Sequence, residues 1–342
     1  MKNILTILSC LILTVSFGQD AIFSQYYSSE LYLNPAMAGE EQDLTLSSNY
    51  RSQWGSIVSA YQTSQTSLVY PIYSKDIEER HLGGFGATLF SDKTGGGSLN
   101  SLGINLSFAY NLPLTVDRLH NLSFGAQAGF MQRRIDASSF QWGSQYDPLN
   151  GYDATWAPDN GNYNDKTIYP DFSAGVIYYY NMYNQLGQLP IRAYFGASAF
   201  HLNKPNQSFY EGDFSSLPRN LKVHGLFEYT FDKLKVAPAG LFLWQQDVYM
   251  AEFGVSVAYR MVEYPRMLLD DIDLRLGLWM RARDAAIISL TFENPSYALG
   301  FSYDYNYSTL RTATLGKGAF EISLVLRWLK QHAFKKVYNP RA

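Results

Sequence analysis

GINLSFAYNL, residues 103–112, contains the repeat that decides the fold of this chain. Every second residue is apolar and would share one face of an extended segment, namely Ile104, Leu106, Phe108, Tyr110 and Leu112. The intervening positions hold small or polar residues, namely Gly103, Asn105, Ser107, Ala109 and Asn111. A period of two indicates a β-strand with one apolar and one polar face.

The same alternation returns in distant parts of the chain, at 252–260, 272–281 and 320–328. Strands of soluble proteins average about five or six residues, and these runs are about twice as long. Tilted strands of about ten residues cross the hydrocarbon core of a bilayer. We therefore expect a transmembrane barrel rather than a soluble β-sandwich or a lipocalin-like barrel. Its apolar face would contact lipid and its polar face would line the lumen.

The alternation predicts an all-β fold, a transmembrane antiparallel β-barrel of about fourteen strands within residues 42–329. The candidate strands are 42–52, 58–71, 81–92, 99–112, 120–135, 171–181, 190–203, 219–231, 235–246, 249–262, 271–283, 285–293, 296–308 and 318–328. In an even-stranded bacterial barrel both termini lie on the periplasmic side, and the longer loops lie outside. The insertion at 136–170 and the loops at 204–218 and 308–317 then fall on the extracellular side.

The beginning of the chain has the pattern of an export signal, predicted over residues 1–18. Lys2 precedes an apolar run, Ile4 to Val15, that is too short to span a bilayer, and a small-x-small site ends at Gly18. Leu8-Ser9-Cys10 resembles a lipoprotein box, but the apolar core continues past Cys10 and favours ordinary cleavage before Gln19. Residues 19–41 would then precede the barrel, and a basic tail at 330–342 would follow it in the periplasm.

Composition argues against several classes of function. The chain has 27 Tyr and 21 Phe, as expected where aromatic girdles flank a lipid-facing band. Acidic residues outnumber Lys and Arg, which does not favour nucleic-acid binding. The single Cys lies in the predicted signal, so no thiol chemistry is expected in the mature chain. No catalytic, cofactor-binding or metal-binding spacing stands out, so we expect neither an enzyme nor a cofactor.

Charged and histidine side chains leave the state of the lumen open. Arg275, Arg281, Arg283 and Asp273 would lie on the lumen face, where they could line a pore or form a closed, salt-bridged interior. Each histidine is expected at a strand end, and the five are His81, His120, His201, His224 and His332.

Motifs spread over the chain resemble the PorP/SprF family, whose members are type IX secretion system membrane proteins of Bacteroidota. The start of the predicted mature chain, QDAIFSQYY followed by LYLNPAMAG, is similar to the family's opening. Later motifs are similar to its R-x-Q-W, P-D-F-x-x-G, G-x-S-x-x-H-x-x-x-P and G-x-x-E-I-S-L patterns. The signature positions in this chain are Tyr26, Leu33, Asn34, Pro35, Ala36, Gly39, Arg51, Trp54, Pro170, Asp171, Gly175, His201 and Glu321.

The resemblance implies a non-enzymatic outer-membrane barrel with a FadL-like architecture. It would support export or surface attachment of a large secreted adhesin through that adhesin's C-terminal domain, in some members for gliding motility. Its partners would be that domain, periplasmic and outer-membrane type IX components, and the lipid bilayer. The alternative is a channel for small hydrophobic solutes. The signature positions would serve structure or partner docking.

The segment ahead of the first strand has two interpretations. Pro35 forbids a continued helix or central strand, and Gly39 permits a sharp reversal. The segment could form an irregular element packed in or under the barrel, anchored by Tyr26, Tyr27, Leu31, Tyr32 and Leu33. It could equally be a plain lead-in to the first strand.

Overall fold

The computed structural model describes residues 20–56, 60–74, 80–95, 98–136, 140–147, 149–156, 163–181, 191–261 and 272–328. The predicted export signal, the basic tail at 330–342 and His332 lie outside these ranges. Within them, fourteen antiparallel strands close into one barrel, which confirms the predicted fold class. None of the described helices is both long enough and apolar enough to cross a bilayer.

The strands follow one another around the barrel in chain order, and the first pairs with the last. They are β1 (Leu44–Gln53), β2 (Tyr61–Tyr73), β3 (His81–Thr94), β4 (Leu99–Pro113), β5 (His120–Ile135), β8 (Lys166–Asn181), β9 (Ile191–Phe200), β10 (Asn220–Phe231), β11 (Leu234–Gln245), β12 (Val248–Arg260), β13 (Asp273–Arg281), β14 (Ala285–Glu293), β15 (Tyr297–Asn306) and β16 (Lys317–Trp328). The rim where β1 begins and β16 ends is the periplasmic rim, because connections at that rim, such as 232–233 and 294–296, are short, whereas the long connections 136–165 and 201–219 lie at the opposite rim.

Short elements lie outside the barrel wall. The strands β6 (Tyr146–Asp147) and β7 (Gly151–Tyr152) pair with each other in the loop that follows β5. One-turn α-helices are α1 (Glu30–Leu33), ahead of β1, and α2 (Arg311–Thr314), in the loop before β16. In the part of the chain that the structure describes, 3₁₀ helices span Tyr26–Ser28, Pro35–Gly39 and Gly143–Gln145.

The two faces of the wall have opposite chemistry, as the alternation predicts. On β4, Leu106 is 65% exposed on the outer face, whereas Ser107 is 2% exposed on the inner face. The other strands repeat this pattern, and they are 9 to 16 residues long. An outward apolar band on strands of this length is the surface that a bilayer covers.

The sixth barrel strand is longer than predicted, because β8 begins at Lys166 rather than 171. Pro170 lies inside it, opposite Phe130 of β5. The carbonyl of Pro170 accepts a hydrogen bond from Asn203 on the opposite edge, 2.8 Å away. On that edge β9 pairs with β8 only from Ala174 onward. A backbone N–H at position 170 would point to this edge and find no partner strand there. Proline therefore costs the sheet no hydrogen bond, and β8 tolerates it.

The inner wall is salt-bridged. Arg275 contacts Glu228 and Glu293, each at 2.9 Å, and its side chain is 6% exposed. Arg281 and Asp273 also face inward and are buried. Arg283 does not, because β13 ends at Arg281 and residue 283 occupies an exposed turn with φ of 63°.

A charge on the outer face distinguishes a lipid-facing surface from a water-facing one. We expect Leu106→Arg to lower the free energy of unfolding in lipid vesicles by about 2–4 kcal/mol, because arginine near the bilayer midplane loses hydration. The control is Leu315→Arg, in the loop before β16, where the side chain is 78% exposed and water is available. Equal, small effects of both substitutions would contradict the assignment of the faces.

Candidate functional site: the luminal segment

Residues 20–41, here called the luminal segment, lie inside the barrel ahead of β1. Leu31, Asn34 and Ala36 are each 0% exposed. At one end Asp20 contacts residues of the extracellular rim. At the other end Glu40 pairs with Arg192, near the periplasmic start of β9, at 3.0 Å. The segment therefore passes through the lumen from one rim to the other.

The barrel seam, where β1 meets β16, carries a buried ion pair. Arg51 and Glu321 face each other in register, and their side chains approach to 3.4 Å. Glu321 also accepts hydrogen bonds from the backbone nitrogens of Ser24, at 2.7 Å, and Gln25, at 3.1 Å. The luminal segment thus supplies two donors to a carboxylate that lies on the last strand.

Neighbouring strands extend this seam cluster. Asp304 of β15 contacts Arg51 at 2.8 Å and Arg281 at 3.0 Å. The hydroxyl of Ser24 donates to Asp304 at 2.7 Å and accepts from Arg281 at 2.8 Å. Buried charges are tolerated only when they are paired and hydrogen-bonded. Here the hydroxyl of Ser24 bonds to both the negative carboxylate of Asp304 and the positive guanidinium of Arg281. The cluster fixes the segment against four strands.

Asn34 is the central attachment of the segment. Its side-chain nitrogen lies 3.1 and 3.2 Å from carbonyls of β8 and β9, and 3.1 Å from the ring of His224. Its side-chain oxygen accepts from the backbone of Ala36 at 2.9 Å, at the start of the 3₁₀ helix that Pro35 begins. The prediction that every histidine lies at a strand end is wrong for His224, which faces inward within β10.

Glycines on the inner wall allow the segment to approach closely. A Cβ at Gly125 would lie 2.2 Å from the backbone nitrogen of Ala36, and one at Gly84 would lie 2.1 Å from the carbonyl oxygen of Ala38. A Cβ at Gly175 would lie 1.9 Å from the side-chain oxygen of Asn34. Carbon atoms cannot approach so closely, so the path of the segment depends on glycine at these positions.

Apolar and aromatic side chains between residues 26 and 33 of the segment pack against the inner wall of the barrel. Tyr26 and Leu33 pack in one buried cluster with Leu241, Leu243 and Met250. Beside them the ring of Tyr27 stacks on Trp279, with centroids 5.4 Å apart. Further along, Tyr32 stacks on Phe90 at 5.1 Å, and Leu31 packs with Val69 and Ala109.

The N-terminal end of the segment is bound at a rim latch, formed by Asp20, Asp171, His201, Asn220 and Gln245. His201 follows β9 with φ of 58°, and its ring nitrogens lie 2.9 Å from Asp20 and 2.9 Å from Asp171. Burial alone would lower the pKa of His201, but the two carboxylates outweigh burial and raise the pKa to about 10. Burial would raise the pKa of Asp20, yet His201 holds it well below its ordinary range.

Most signature positions belong to the luminal segment or contact it. Asp171 is linked to it through His201. Two other positions lie away from it. Pro170 is exposed on the outer face, and Trp54 lies beyond β1 with its ring 5.1 Å from that of Tyr61. Sequence reasoning missed partners that the segment uses, namely His224, Asn220, Gln245 and Asp304. The feature of the sequence that could have indicated these partners is a polar residue at an inward-facing position of an alternating strand.

The seam cluster gives a prediction about stability. Arg51→Leu removes a cation shared by two buried carboxylates, and we expect it to lower the free energy of unfolding by about 3–5 kcal/mol. Arg283→Leu, at an exposed turn, is the matched control and should stay within about 0.5 kcal/mol of the parent protein. Denaturant titration in detergent micelles measures both. Equal effects of the two substitutions would show that the seam pair is dispensable.

The rim latch gives a prediction about pH. Because the folded pKa of His201 lies above the ordinary value of about 6.5, its stabilisation is fully present below that pH and is lost as the pH rises through about 10. Asp20, with a lowered pKa, contributes above about pH 3.9. The stability difference between the parent and His201→Gln should therefore be largest between about pH 4 and 6.5 and disappear above pH 10. A difference that is independent of pH would refute the ion pair.

Solved structures that are similar to this barrel are distant from it. CymD, a monoaromatic hydrocarbon channel, has 12% identity and a TM-score of 0.44, over 92% of this chain and 96% of that chain. A Pseudomonas aeruginosa FadL homologue has 11% identity and a TM-score of 0.41, over 88% and 94%. BamA from Haemophilus ducreyi lacking POTRA domains 1–3 has 11% identity and a TM-score of 0.40, over 84% and 71%. No curated protein is similar enough to count as a match.

Among the described residues, no three His, Asp or Glu side chains gather as a metal-binding group.

The comparison with protein-family models gives a match over most of this chain. A sequence model of the type IX secretion system membrane protein PorP/SprF matches residues 15–326, which include the luminal segment and all but the last two residues of the barrel wall. This chain therefore belongs to the PorP/SprF family of type IX secretion system membrane proteins, and its barrel lies in the outer membrane.

Proposed function

We propose that this barrel supports the export or surface attachment of one partner adhesin by binding that adhesin's C-terminal domain, without catalysing a reaction. Family membership over residues 15–326 carries the proposal, since a type IX membrane component works with other parts of that secretion system. In a gliding cell, the attached adhesin would serve motility.

The filled lumen supports a docking role for the barrel. Inner-wall side chains such as Asn49, Gln65 and Glu252 are each 1% exposed. An open pore would instead leave its wall accessible to water. A barrel filled in this way is a rigid scaffold, and its described extracellular loops, such as 201–219, offer exposed residues to a partner.

Two extracellular loops join into one surface, here called the outer platform, formed by the described residues of 140–165, which are 140–147, 149–156 and 163–165, together with residues 201–219. The backbone nitrogen of Asn164 donates to the carbonyl of Phe209 at 2.7 Å, and Tyr163 forms a β-bridge with Tyr210. Its exposed side chains include Trp156, at 44%, and Phe214, at 70%. Exposed aromatic residues on a polar background are typical of binding hot spots.

The charge of the outer platform suggests the chemistry of the partner. Residues 140–165 contain four aspartates and no Lys or Arg, and in residues 201–219 two acidic residues balance two basic ones. The described aspartates include Asp147 and Asp153, which are half-exposed. Complementary charge favours association and orients the partner. We therefore expect the docked domain to present a basic surface with apolar recesses for the aromatic rings.

Substitution of the platform aromatics tests the proposal in the producing cell. We expect the double variant Trp156→Ala and Phe214→Ala to weaken binding by about 2 kcal/mol or more, about thirty-fold, if the rings are hot spots. The partner would then be lost from the cell surface, as measured by surface proteolysis and mass spectrometry. Val116→Ala, in the fully exposed turn between β4 and β5 on the periplasmic rim, is the control.

A pull-down separates the two candidate functions. The tagged barrel, purified from detergent-solubilised outer membranes, should bring down a large secreted protein or other type IX components. The alternative is a channel for small hydrophobic solutes. It would be supported by a barrel that purifies alone and transports such solutes into liposomes, and the docking proposal would then be abandoned.

A further inference from the structure

The position of Asp20 at the end of the luminal segment has a topological consequence. All of its side-chain partners lie at the extracellular ends of strands. His201 directly follows β9, Asn220 is the first residue of β10, and Gln245 is the last residue of β11. Asn220 donates to the carboxylate of Asp20 at 2.7 Å, and the backbone nitrogen of Asp20 donates to Gln245 at 3.0 Å. Both the side chain and the backbone of Asp20 are therefore bound at this rim.

The opposite end of the segment is bound at the periplasmic rim. Glu40 pairs with Arg192, the second residue of β9, and the hydroxyl of Thr45, the second residue of β1, donates to Glu41 at 3.0 Å. Attachment at both rims prevents the segment from folding back toward the periplasm. Asp20, the first described residue, thus lies at the extracellular mouth of the lumen, where its side chain is still 21% exposed.

We propose that the N terminus of the processed chain is displayed on the extracellular side, at the lumen mouth beside the loop after β9 and the turn after β11. The last described residue, Trp328, lies on the periplasmic side, where β16 ends. The N terminus then adjoins the outer platform and forms part of the surface that a secreted partner meets. This last step alone rests on the proposed function.

Epitope accessibility tests the location of the N terminus. One epitope is inserted between Gln19 and Asp20, and matched chains carry it in the extracellular turn at Gln246-Asp247 or in the periplasmic turn at Asp232-Lys233. We expect antibody to bind intact cells that carry the N-terminal epitope or the 246–247 epitope. The 232–233 epitope should bind only after the outer membrane is permeabilised. An N-terminal epitope that behaves like the 232–233 epitope overturns the proposal.

Crosslinking tests the location without an insertion. The one native cysteine, Cys10, is replaced by serine, and the pair Asp20→Cys and Asn220→Cys is introduced. A short thiol-reactive crosslinker should join this pair within one chain and should not join the control pair Asp20→Cys and Arg192→Cys. Crosslinking of position 20 to position 192 but not to position 220 would place Asp20 at the periplasmic rim and overturn the proposal. Neither test requires a secreted partner, so failure here is distinct from failure of the proposed function.

Discussion

Pairing of buried polar groups inside the barrel is the constraint on which the rest of the structure depends. An isolated charge in a dry interior costs several kcal/mol, so each ion on the inner wall needs a partner. Part of the wall satisfies itself across strands, as Arg275 does with Glu228 and Glu293. Near the seam the wall is incomplete without Ser24 and Gln25, which donate to Glu321 and Asp304. The luminal segment is therefore a structural component of this barrel.

Local alternation predicted the fold well because a strand's two faces are determined within the strand itself. Leu106 and Ser107 are neighbours in sequence, and the pleat alone directs one outward and the other inward. The same reasoning located all fourteen barrel strands to within a few residues. It placed the start of β8 at 171, five residues late, since the strand begins at Lys166 and includes Pro170, whose missing N–H faces an edge without a partner strand.

Contacts across the lumen could not be predicted, because they depend on closure of the barrel. Ser24 and Asp304 are 280 residues apart, and nothing in either local sequence indicates that they meet. Resemblance to the family singled out Asn34, Gly175 and His201 but gave no physical reason for them. The structure supplies one: Asn34 occupies the space that a side chain at Gly175 would fill, and His201 binds the end of the segment.

The position of the seam cluster also implies an order of assembly. Arg51 and Glu321 pair the first strand with the last, and the segment that contacts Glu321 lies directly ahead of the first strand. The segment is buried along its length and bound at both rims, so enclosing it as β1 and β16 meet avoids threading it through a closed barrel. If residues 1–18 are the export signal that the sequence predicts, a signal still held in the inner membrane would keep Asp20 away from the extracellular rim. Removal of that signal would then precede closure of the barrel, and an unprocessed chain would be left with an open seam.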